Sequence, residues 1–182
     1  MGKRSNFERV ERDFYPTPKA AVLPLIASVM PPAGHRKTWF YEPCVGDGAL
    51  IDHLQASKGF LMVGASDIDP QGQYGPEATR DALSLTIRDI GSAHCIITNP
   101  PWDRKILHPM IAHFSAMRPT WLLFDADWMH TKQSAEYMQW CRKIVSVGRV
   151  KWIPDSKMTG KDNCAWYLFD QNASGPTVFI GR

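Results

Sequence analysis

The apolar positions of this chain form two kinds of segment, which alternate over most of its length. Short runs rich in aromatic and β-branched residues predict buried strands, and apolar residues spaced three and four apart predict helices. Strands are predicted at TWFYEP (38–43), FLMVGASDI (60–68), HCIITN (94–99) and TWLLFDAD (120–127). Helices are predicted from about 17 to 30, in ALIDHLQASKG (49–59), in RKILHPMIAHFSAM (104–117) and in QSAEYMQWCRK (133–143).

The alternation of predicted strands and helices stops at residue 144, and from there to residue 182 strands follow one another without helices. The last predicted strands are IVSVGRVKWIP (144–154), CAWYLFD (164–170) and TVFIGR (177–182). Alternating strands and helices imply a parallel sheet with right-handed crossovers, and the final strands predict an antiparallel hairpin at one edge. The predicted fold class is therefore α/β: one doubly wound, mostly parallel sheet with a C-terminal hairpin. Residues 1–14 are predicted to be a polar arm, and residues 15–182 a single domain.

Composition narrows the protein class without identifying a function. A chain of 182 residues with 44% hydrophobic and 21% charged residues is typical of one soluble domain. No apolar run is long enough to span a membrane, and the charged N-terminus lacks the apolar stretch of a secretory signal. Four scattered cysteines without a CxxC pair, and histidines without metal-ligand spacing, predict a reducing cytoplasm, no disulfides and no metal. The net charge of +3 is compatible with a nucleic-acid partner.

The first candidate site is a glycine turn in EPCVGDGAL (42–50), directly after a predicted strand. Gly46 and Gly48 allow the backbone to approach a ligand closely. The turn is not a complete GxGxxG motif, because Ile51 stands where the third glycine would be. A tight strand-to-helix turn without a ligand is the alternative for this segment.

Acidic residues at later strand ends form the next candidates, because ligands of such sheets bind beyond the carboxyl ends of the strands. Asp67 lies 19 residues after Gly48 (67 − 48) and is placed to accept bonds from ribose hydroxyls. Asp69 competes for that role. Asp81 is a third candidate, with a solvated loop acid as its alternative.

The stretch IITNPPW (96–102) ends a predicted buried strand in rigid residues. Asn99 precedes proline, so its backbone is extended and its amide oxygen projects forward as an acceptor. Pro100 and Pro101 restrict the backbone and fix the direction of the Pro100 carbonyl. Trp102 adds a flat face on which a ring can stack. Together these residues predict a clamp for an aromatic amine, with a simple strand-ending turn as the alternative.

These segments resemble the motifs of S-adenosylmethionine-dependent adenine-N6 DNA methyltransferases. NPPW (99–102) is similar to the catalytic motif of that family, EPCVGDGAL (42–50) to its glycine motif, and DFYPTP (13–18) to its first cofactor motif. Their order resembles the gamma arrangement and covers residues 13–102. The remainder resembles small phage and prophage members less sharply. The long target-recognition domain of many members is not visible, so a loose or very short target site is expected.

The resemblance implies a class I, Rossmann-like methyltransferase domain in the cytoplasm of a bacterial or phage-infected cell, with S-adenosylmethionine as cofactor and DNA as partner. It also implies a role for each matching position. For the cofactor, Tyr15 and Thr17 would contact the methionine end beside Glu42, Cys44 and Gly46, Asp67 would hold the ribose and Asp81 the adenine amine. For the substrate, Asn99 and Pro100 would hold the target amine beside Pro101, and Trp102 would stack on a flipped base.

Other residues carry weaker expectations. Asp127 and Trp128 could line the target pocket, with a packed tryptophan at an acidic strand end as the alternative. Lys157 and Lys161 could contact phosphate, with a solvated hairpin tip as the alternative. An amino-methyltransferase acting on RNA or on a protein glutamine could use the same clamp. A non-catalytic cofactor- or DNA-binding module also stays open, and the incomplete GxGxxG disfavours an NAD-dependent oxidoreductase.

Overall fold

The structure is a computed structural model that describes residues 14–153 and 160–182. The predicted N-terminal arm, apart from Phe14, and Lys157 lie outside the described residues. The strands are β1 (Thr38–Glu42), β2 (Phe60–Ala65), β3 (Cys95–Thr98), β4 (Thr120–Asp125), β5 (Cys141–Arg149), β6 (Asn163–Phe169) and β7 (Val178–Ile180). The α-helices are α1 (Lys19–Ser28), α2 (Ala49–Ala56), α3 (Ile87–Ile90), α4 (Arg104–Met117) and α5 (Ala135–Met138).

All seven described strands form one sheet in the order β2-β1-β3-β4-β6-β5-β7. The pairs β1/β2, β1/β3, β3/β4 and β5/β7 are parallel, and β6 is antiparallel to both of its neighbours. The carboxyl ends of β1 to β5 and of β7 therefore lie along one edge of the sheet, together with the start of β6. We call this the carboxyl edge.

Helices cover both faces of the sheet, which confirms the doubly wound α/β prediction. On one face α1 and α2 bury Leu25 and Leu54 against strand residues such as Phe40. On the other face α4 buries Ile111 and Phe114. Strands covered on both sides need apolar residues at nearly every position, as the fully buried Cys95–Thr98 has.

The predicted antiparallel hairpin is present, but β6 does not lie at the edge of the sheet. It is inserted between β4 and β5, where Trp166 and Tyr167 are buried on opposite faces. Strand β7 lies at the edge instead, with Val178 and Phe179 exposed. The reason is apolar burial, since the more hydrophobic strand takes the position where both of its faces are covered.

The prediction of a helix at 133–143 was wrong for most of this segment. Helix α5 ends at Met138, and β5 begins at Cys141. Cys141, Ile144 and Val145 pair with β6 and are buried, so tertiary packing determines the conformation of this segment. None of the helices among the described residues is long and apolar enough to cross a membrane.

Candidate functional site

A cavity of about 890 Å³ opens at the carboxyl edge, around the ends of β1, β2 and β3. Its size is within the range of pockets that bind small molecules. It brings together most of the predicted site residues: Tyr15, Thr17, Glu42, Cys44, Gly46, Asp67, Asp81, Asn99 and Pro101. Residues from distant parts of the chain meet here because their strands are neighbours that end at the same edge.

The glycine turn between β1 and α2 combines left-handed backbone conformations with close contacts to two aromatic rings. Gly46 has φ +53° and Gly48 has φ +91°, in the left-handed region that favours glycine. A Cβ atom on Gly46 would lie 2.8 Å from a ring carbon of Phe14, and one on Gly48 would lie 2.7 Å from the ring of Tyr74. Both positions therefore favour glycine by conformation, and a side chain at either one would displace an aromatic ring.

Asp67 connects the end of β2 to this turn. Its Oδ2 accepts a hydrogen bond from the Gly46 backbone N–H at 2.9 Å, and its Oδ1 accepts one from the Asp69 N–H at 2.8 Å. Each carboxylate oxygen can accept a further bond. Asp67 and Asp69 both line the cavity, so the carboxylate that supports the turn also faces the ligand space.

Glu42, the last residue of β1, has a buried carboxylate oxygen without a hydrogen-bond partner among the described residues. The residue is 1% exposed, and the oxygen is Oε2. Burial, and then the charges of Asp67 and Asp47, raise the pKa of this carboxyl well above its usual range. An unpaired buried acid is costly. A cationic group in the cavity would both pair with it and favour its ionised form.

Cys44 lies between Glu42 and the glycine turn and also lines the cavity. Desolvation, and then the charge of Asp67, raise the pKa of its thiol. The side chain is therefore a neutral thiol at physiological pH and is unsuited to be a nucleophile. Its position fits contact with a ligand.

Asp81 and several apolar side chains line another part of the cavity. The Asp81 Oδ1 accepts a bond from the Leu83 N–H at 2.9 Å and so caps a short 3-10 turn. Ile68, Leu83 and Ile106 are large apolar residues that are exposed and line the same cavity. None of the three is among the predicted site residues. The signal was available for the first two, because an aliphatic residue follows each candidate acid by one or two positions.

Asn99 follows β3 directly and lies against the segment that leads into α1. Its Nδ2 donates a hydrogen bond to the Thr17 Oγ1 at 3.2 Å, and Thr17 is 5% exposed. Pro18 is the N-cap residue of α1, and no side chain caps this helix, so the Thr17 hydroxyl is not used as a cap. The Thr17 hydroxyl instead fixes the amide nitrogen, which leaves the amide oxygen of Asn99 to accept from a ligand.

Trp102 lies beside the cavity in an aromatic row. Its Nε1 donates to the Leu123 carbonyl at 3.1 Å, which fixes the ring against β4. The Trp152 ring meets it edge-on at 5.8 Å, and Tyr15 lies 6.4 Å beyond Trp152. Trp152 is partly buried and packs against the hydrophobic core. Pro100 is buried and does not line the cavity.

The weaker substrate candidates have different positions. Trp128 is 2% exposed and its Nε1 donates to the His108 Nε2 at 3.0 Å, so it belongs to the core and is not available for stacking on a substrate. Asp127 is exposed and lines a separate groove, and Lys161 is exposed just before β6. Among residues 14–153 and 160–182 there is no cluster of three metal-binding side chains.

Comparison with known proteins supports the fold. No family model and no curated protein matches the chain. A Listeria monocytogenes protein described as a class I S-adenosylmethionine-dependent methyltransferase superimposes with a TM-score of 0.59 at 8% identity, over 97% of this chain and 68% of the other. A Plasmodium falciparum dimethyladenosine transferase gives 0.52 at 14% identity, over 86% and 62%. A chain of a type I R-M system gives 0.51 at 14% identity, over 96% and 46%.

The chain thus covers less than two thirds of two of these three structures, 62% of one and 46% of the other. At such low identity the similarity establishes the architecture alone. The protein has the class I methyltransferase fold, with a seven-stranded mixed sheet whose β4-β6-β5 part is antiparallel.

Proposed function

We propose that the protein transfers a methyl group from S-adenosylmethionine to the N6 amine of adenine in DNA. The observation that carries the proposal is the position of Asn99, whose amide lines the same cavity as the glycine turn, Glu42 and Asp67. This arrangement brings an amine-binding group beside a site suited to that cofactor. The shared fold of S-adenosylmethionine-dependent enzymes supports the same conclusion.

The residues of the cavity fit the cofactor part by part. The unpaired Glu42 carboxyl suits the ammonium of its methionine end. Asp67 retains acceptor capacity for ribose hydroxyls, and Asp81 for an adenine amine. Ile68 and Leu83 offer apolar surface for the flat adenine ring. The cofactor, when bound, would supply a methyl group already activated by its sulfonium.

Catalysis by this chain would consist mainly of alignment. The Asn99 amide oxygen would accept a bond from one proton of the target amine, and the backbone carbonyl of Pro100, which lies between the cavity-lining Asn99 and Pro101 in the chain, would accept one from the other. These bonds draw the nitrogen lone pair out of the ring and direct it towards the methyl group. Positioning and exclusion of water then account for the rate. No strong base is needed, because the amine becomes acidic as it is methylated.

An adenine in a duplex must leave the stack to reach Asn99, since its amine is occupied in pairing. The aromatic row of Tyr15, Trp152 and Trp102 would offer stacking surface to such a base beside the cavity. Base–aromatic stacking of about 1–3 kcal/mol offsets part of the cost of unstacking. Within the family that the motifs resemble, asparagine in the first position accompanies adenine more often than cytosine, which favours N6 over N4.

Two alternatives use the same geometry. An amine in RNA or a glutamine amide in protein could bind to the same two acceptors. The solved structures that share this fold include a dimethyladenosine transferase and a chain of a type I R-M system, so they do not decide which nucleic acid is the substrate. A non-catalytic binding module would keep the cofactor site and need no clamp. The Thr17 bond that orients Asn99 argues for catalysis.

The proposal is tested by transfer of labelled methyl groups to DNA, RNA and protein. Asn99→Ala should reduce transfer to DNA by roughly 10²–10³-fold, as removal of one catalytic hydrogen-bond partner does. Cofactor binding and Tm should be unchanged, because Asn99 is only partly buried. Asn172→Ala, an exposed amide on the loop before β7, is the matched control. Label found only in RNA or protein would favour an alternative, and unchanged turnover in Asn99→Ala would reject the clamp.

A further inference from the structure

A second cavity lies on the same carboxyl edge, at the end formed by the hairpin. This groove of about 250 Å³ is bounded by the end of β4, by β5 and β6, and by β7. Its polar and aromatic walls include Asn163, Phe179 and Arg182, with Asp127 and His130 at the β4 end. None of the cofactor residues discussed above takes part in it.

Basic side chains surround the β5 and β7 side of this groove. Arg182 lines it and lies directly against Gly148, where a Cβ atom would come within 2.5 Å of the guanidinium. Arg149 is the cross-strand partner of Asn163, so both side chains project from the same face of the sheet. Lys161 is exposed two residues before Asn163. Arg182 thus lines the groove, and two further exposed cations are paired with, or close in sequence to, one of its lining residues.

The groove also contains an exposed aromatic ring. Phe179 is 60% exposed, although it lies on a strand that pairs with β5. Its partner across the strands is Ile144, which is buried, so the ring extends from the core face onto the wall of the groove. A flat apolar ring beside guanidinium groups is the combination with which proteins bind single-stranded nucleic acid.

We propose that this groove binds a nucleotide of the substrate nucleic-acid strand, at a position separate from the target base. Phe179 stacks on the base, and Arg149, Lys161 and Arg182 neutralise neighbouring phosphates. The inference rests on the proposed function, because it takes a nucleic acid as the substrate. It adds a strand-binding site formed by the hairpin.

The position of the groove fits a strand that also reaches Asn99. Asn99 follows β3, and the groove spans the next four strands along the edge, from β4 to β7. With strands about 4.8 Å apart, the separation from Asn99 increases from about 5 Å at β4 to about 20 Å at β7, where Phe179 lies. A nucleic-acid strand covers the longer distance in about six nucleotides, at about 3.4 Å each.

Charge within the groove also orients the nucleotide. Asp127 lies at the β4 end and Arg182 at the other. A carboxylate repels phosphate and accepts from exocyclic base amines, whereas a guanidinium binds phosphate. A base stacked on Phe179 is therefore oriented with its amine edge towards Asp127, and the phosphates lie towards the exposed cations. The groove should favour adjacent bases that carry an amine.

The test compares two triple variants that remove the same charge. Arg149→Ala/Lys161→Ala/Arg182→Ala changes the groove, and Arg36→Ala/Lys37→Ala/Lys58→Ala changes exposed cations at the opposite edge of the sheet. Binding of a fluorescent single-stranded oligonucleotide of mixed sequence is measured by anisotropy over a range of salt concentrations. Cofactor affinity of each variant is measured by calorimetry.

The groove variant should bind the oligonucleotide at least tenfold more weakly, and its slope of log affinity against log salt should fall by about 2, for three lost contacts at 0.7 each. The control variant should lose much less, and both should bind cofactor normally. Phe179→Ala should weaken binding without changing the salt slope, because stacking releases no counterions.

If the two triple variants lose equal oligonucleotide affinity, or if the groove variant loses none, the groove is not the strand-binding site. The proposed function would remain intact in that case, provided that wild type still methylates DNA. Conversely, groove-dependent binding without any methyl transfer would support the groove and reject the proposed function. Wild type that binds no oligonucleotide would reject the groove as a nucleic-acid site.

Discussion

The carboxyl edge of the sheet has two regions that are built in different ways. In the cofactor region, around β2, β1 and β3, backbone geometry determines the site: left-handed glycines, an aspartate bonded to the glycine turn, and a buried acid. In the hairpin region, around β4, β6, β5 and β7, exposed side chains project from strand ends. The first region suits one small ligand of fixed shape, and the second suits a flexible, charged polymer.

The largest effect that separates the two regions is expected at Asp67. Asp67→Ala should weaken S-adenosylmethionine binding by about 1–3 kcal/mol, because ligand hydroxyls and the Gly46 N–H lose their acceptor. Oligonucleotide affinity should not change. Asp69→Ala is the matched control by calorimetry, since Asp69 is the exposed neighbour in the same cavity. A larger loss in Asp69→Ala would transfer the ribose role to that residue.

The next effect concerns space at the glycine turn. Gly46→Ala and Gly91→Ala both place alanine at φ +53°, a backbone conformation that favours glycine, so both substitutions are strained. Only at Gly46 would the new methyl group meet another side chain, Phe14, because no atom lies within 4 Å at Gly91. Both variants should therefore have a lower Tm, whereas only Gly46→Ala should lose cofactor affinity. Equal cofactor affinity in the two would mean that Phe14 and the turn do not shape that site.

A smaller effect is expected at Thr17, where the cofactor and the target amine would meet. Thr17→Val removes the acceptor of the Asn99 amide while keeping the shape of the side chain. We expect kcat to fall several-fold, corresponding to about 0.5–1.5 kcal/mol for one hydrogen bond. The Kd for cofactor should change little, and Thr17→Ser should restore the rate. If Thr17→Val weakens cofactor binding and leaves kcat unchanged, Thr17 contacts the cofactor and does not position Asn99.

The smallest effect lies at the opposite edge of the sheet, outside both regions. The Nδ1 of His94 accepts a hydrogen bond from the Trp39 N–H at 3.0 Å, which requires a neutral ring. Desolvation, and then the nearby His35, lower the pKa of His94 in the folded protein. The unfolded chain therefore binds a proton first, and this contribution to stability is present above about pH 6.5 and is lost as the pH falls below it.

Chemical denaturation of wild type and His94→Gln between pH 5 and 8 measures this contribution. Stability of wild type should decline more steeply below pH 6.5 than that of the variant, which has no group to protonate there. Parallel pH profiles would show that the Trp39 bond does not depend on the charge of His94.

Much of the cofactor region could be predicted from the sequence, because its residues lie at the ends of strands with clear apolar patterns. Local motifs of this kind place Gly46, Asp67, Asp81 and Asn99 at one edge as soon as the strands are parallel. The contact between Asn99 and Thr17 could not be predicted, since it joins residues 82 positions apart and depends on where α1 begins.

The hairpin region was less predictable for a physical reason. The segment before β5 has enough helix-forming residues to indicate a helix, and only pairing with β6 makes it a strand from Cys141. The insertion of β6 and the edge position of β7 depend on competition for burial across the whole sheet. The groove around Asn163 and Arg182 follows from that order, so no local pattern indicates it.

The central claim is that the cofactor region supplies a methyl group to an adenine held at Asn99. The most direct test is incubation of DNA with the protein and S-adenosylmethionine carrying a trideuterated methyl group, followed by digestion and mass spectrometry of the nucleosides. The account predicts trideuterated N6-methyladenine with wild type and almost none with Asn99→Ala. Labelled N4-methylcytosine, or DNA without label while RNA or protein becomes labelled, would contradict it.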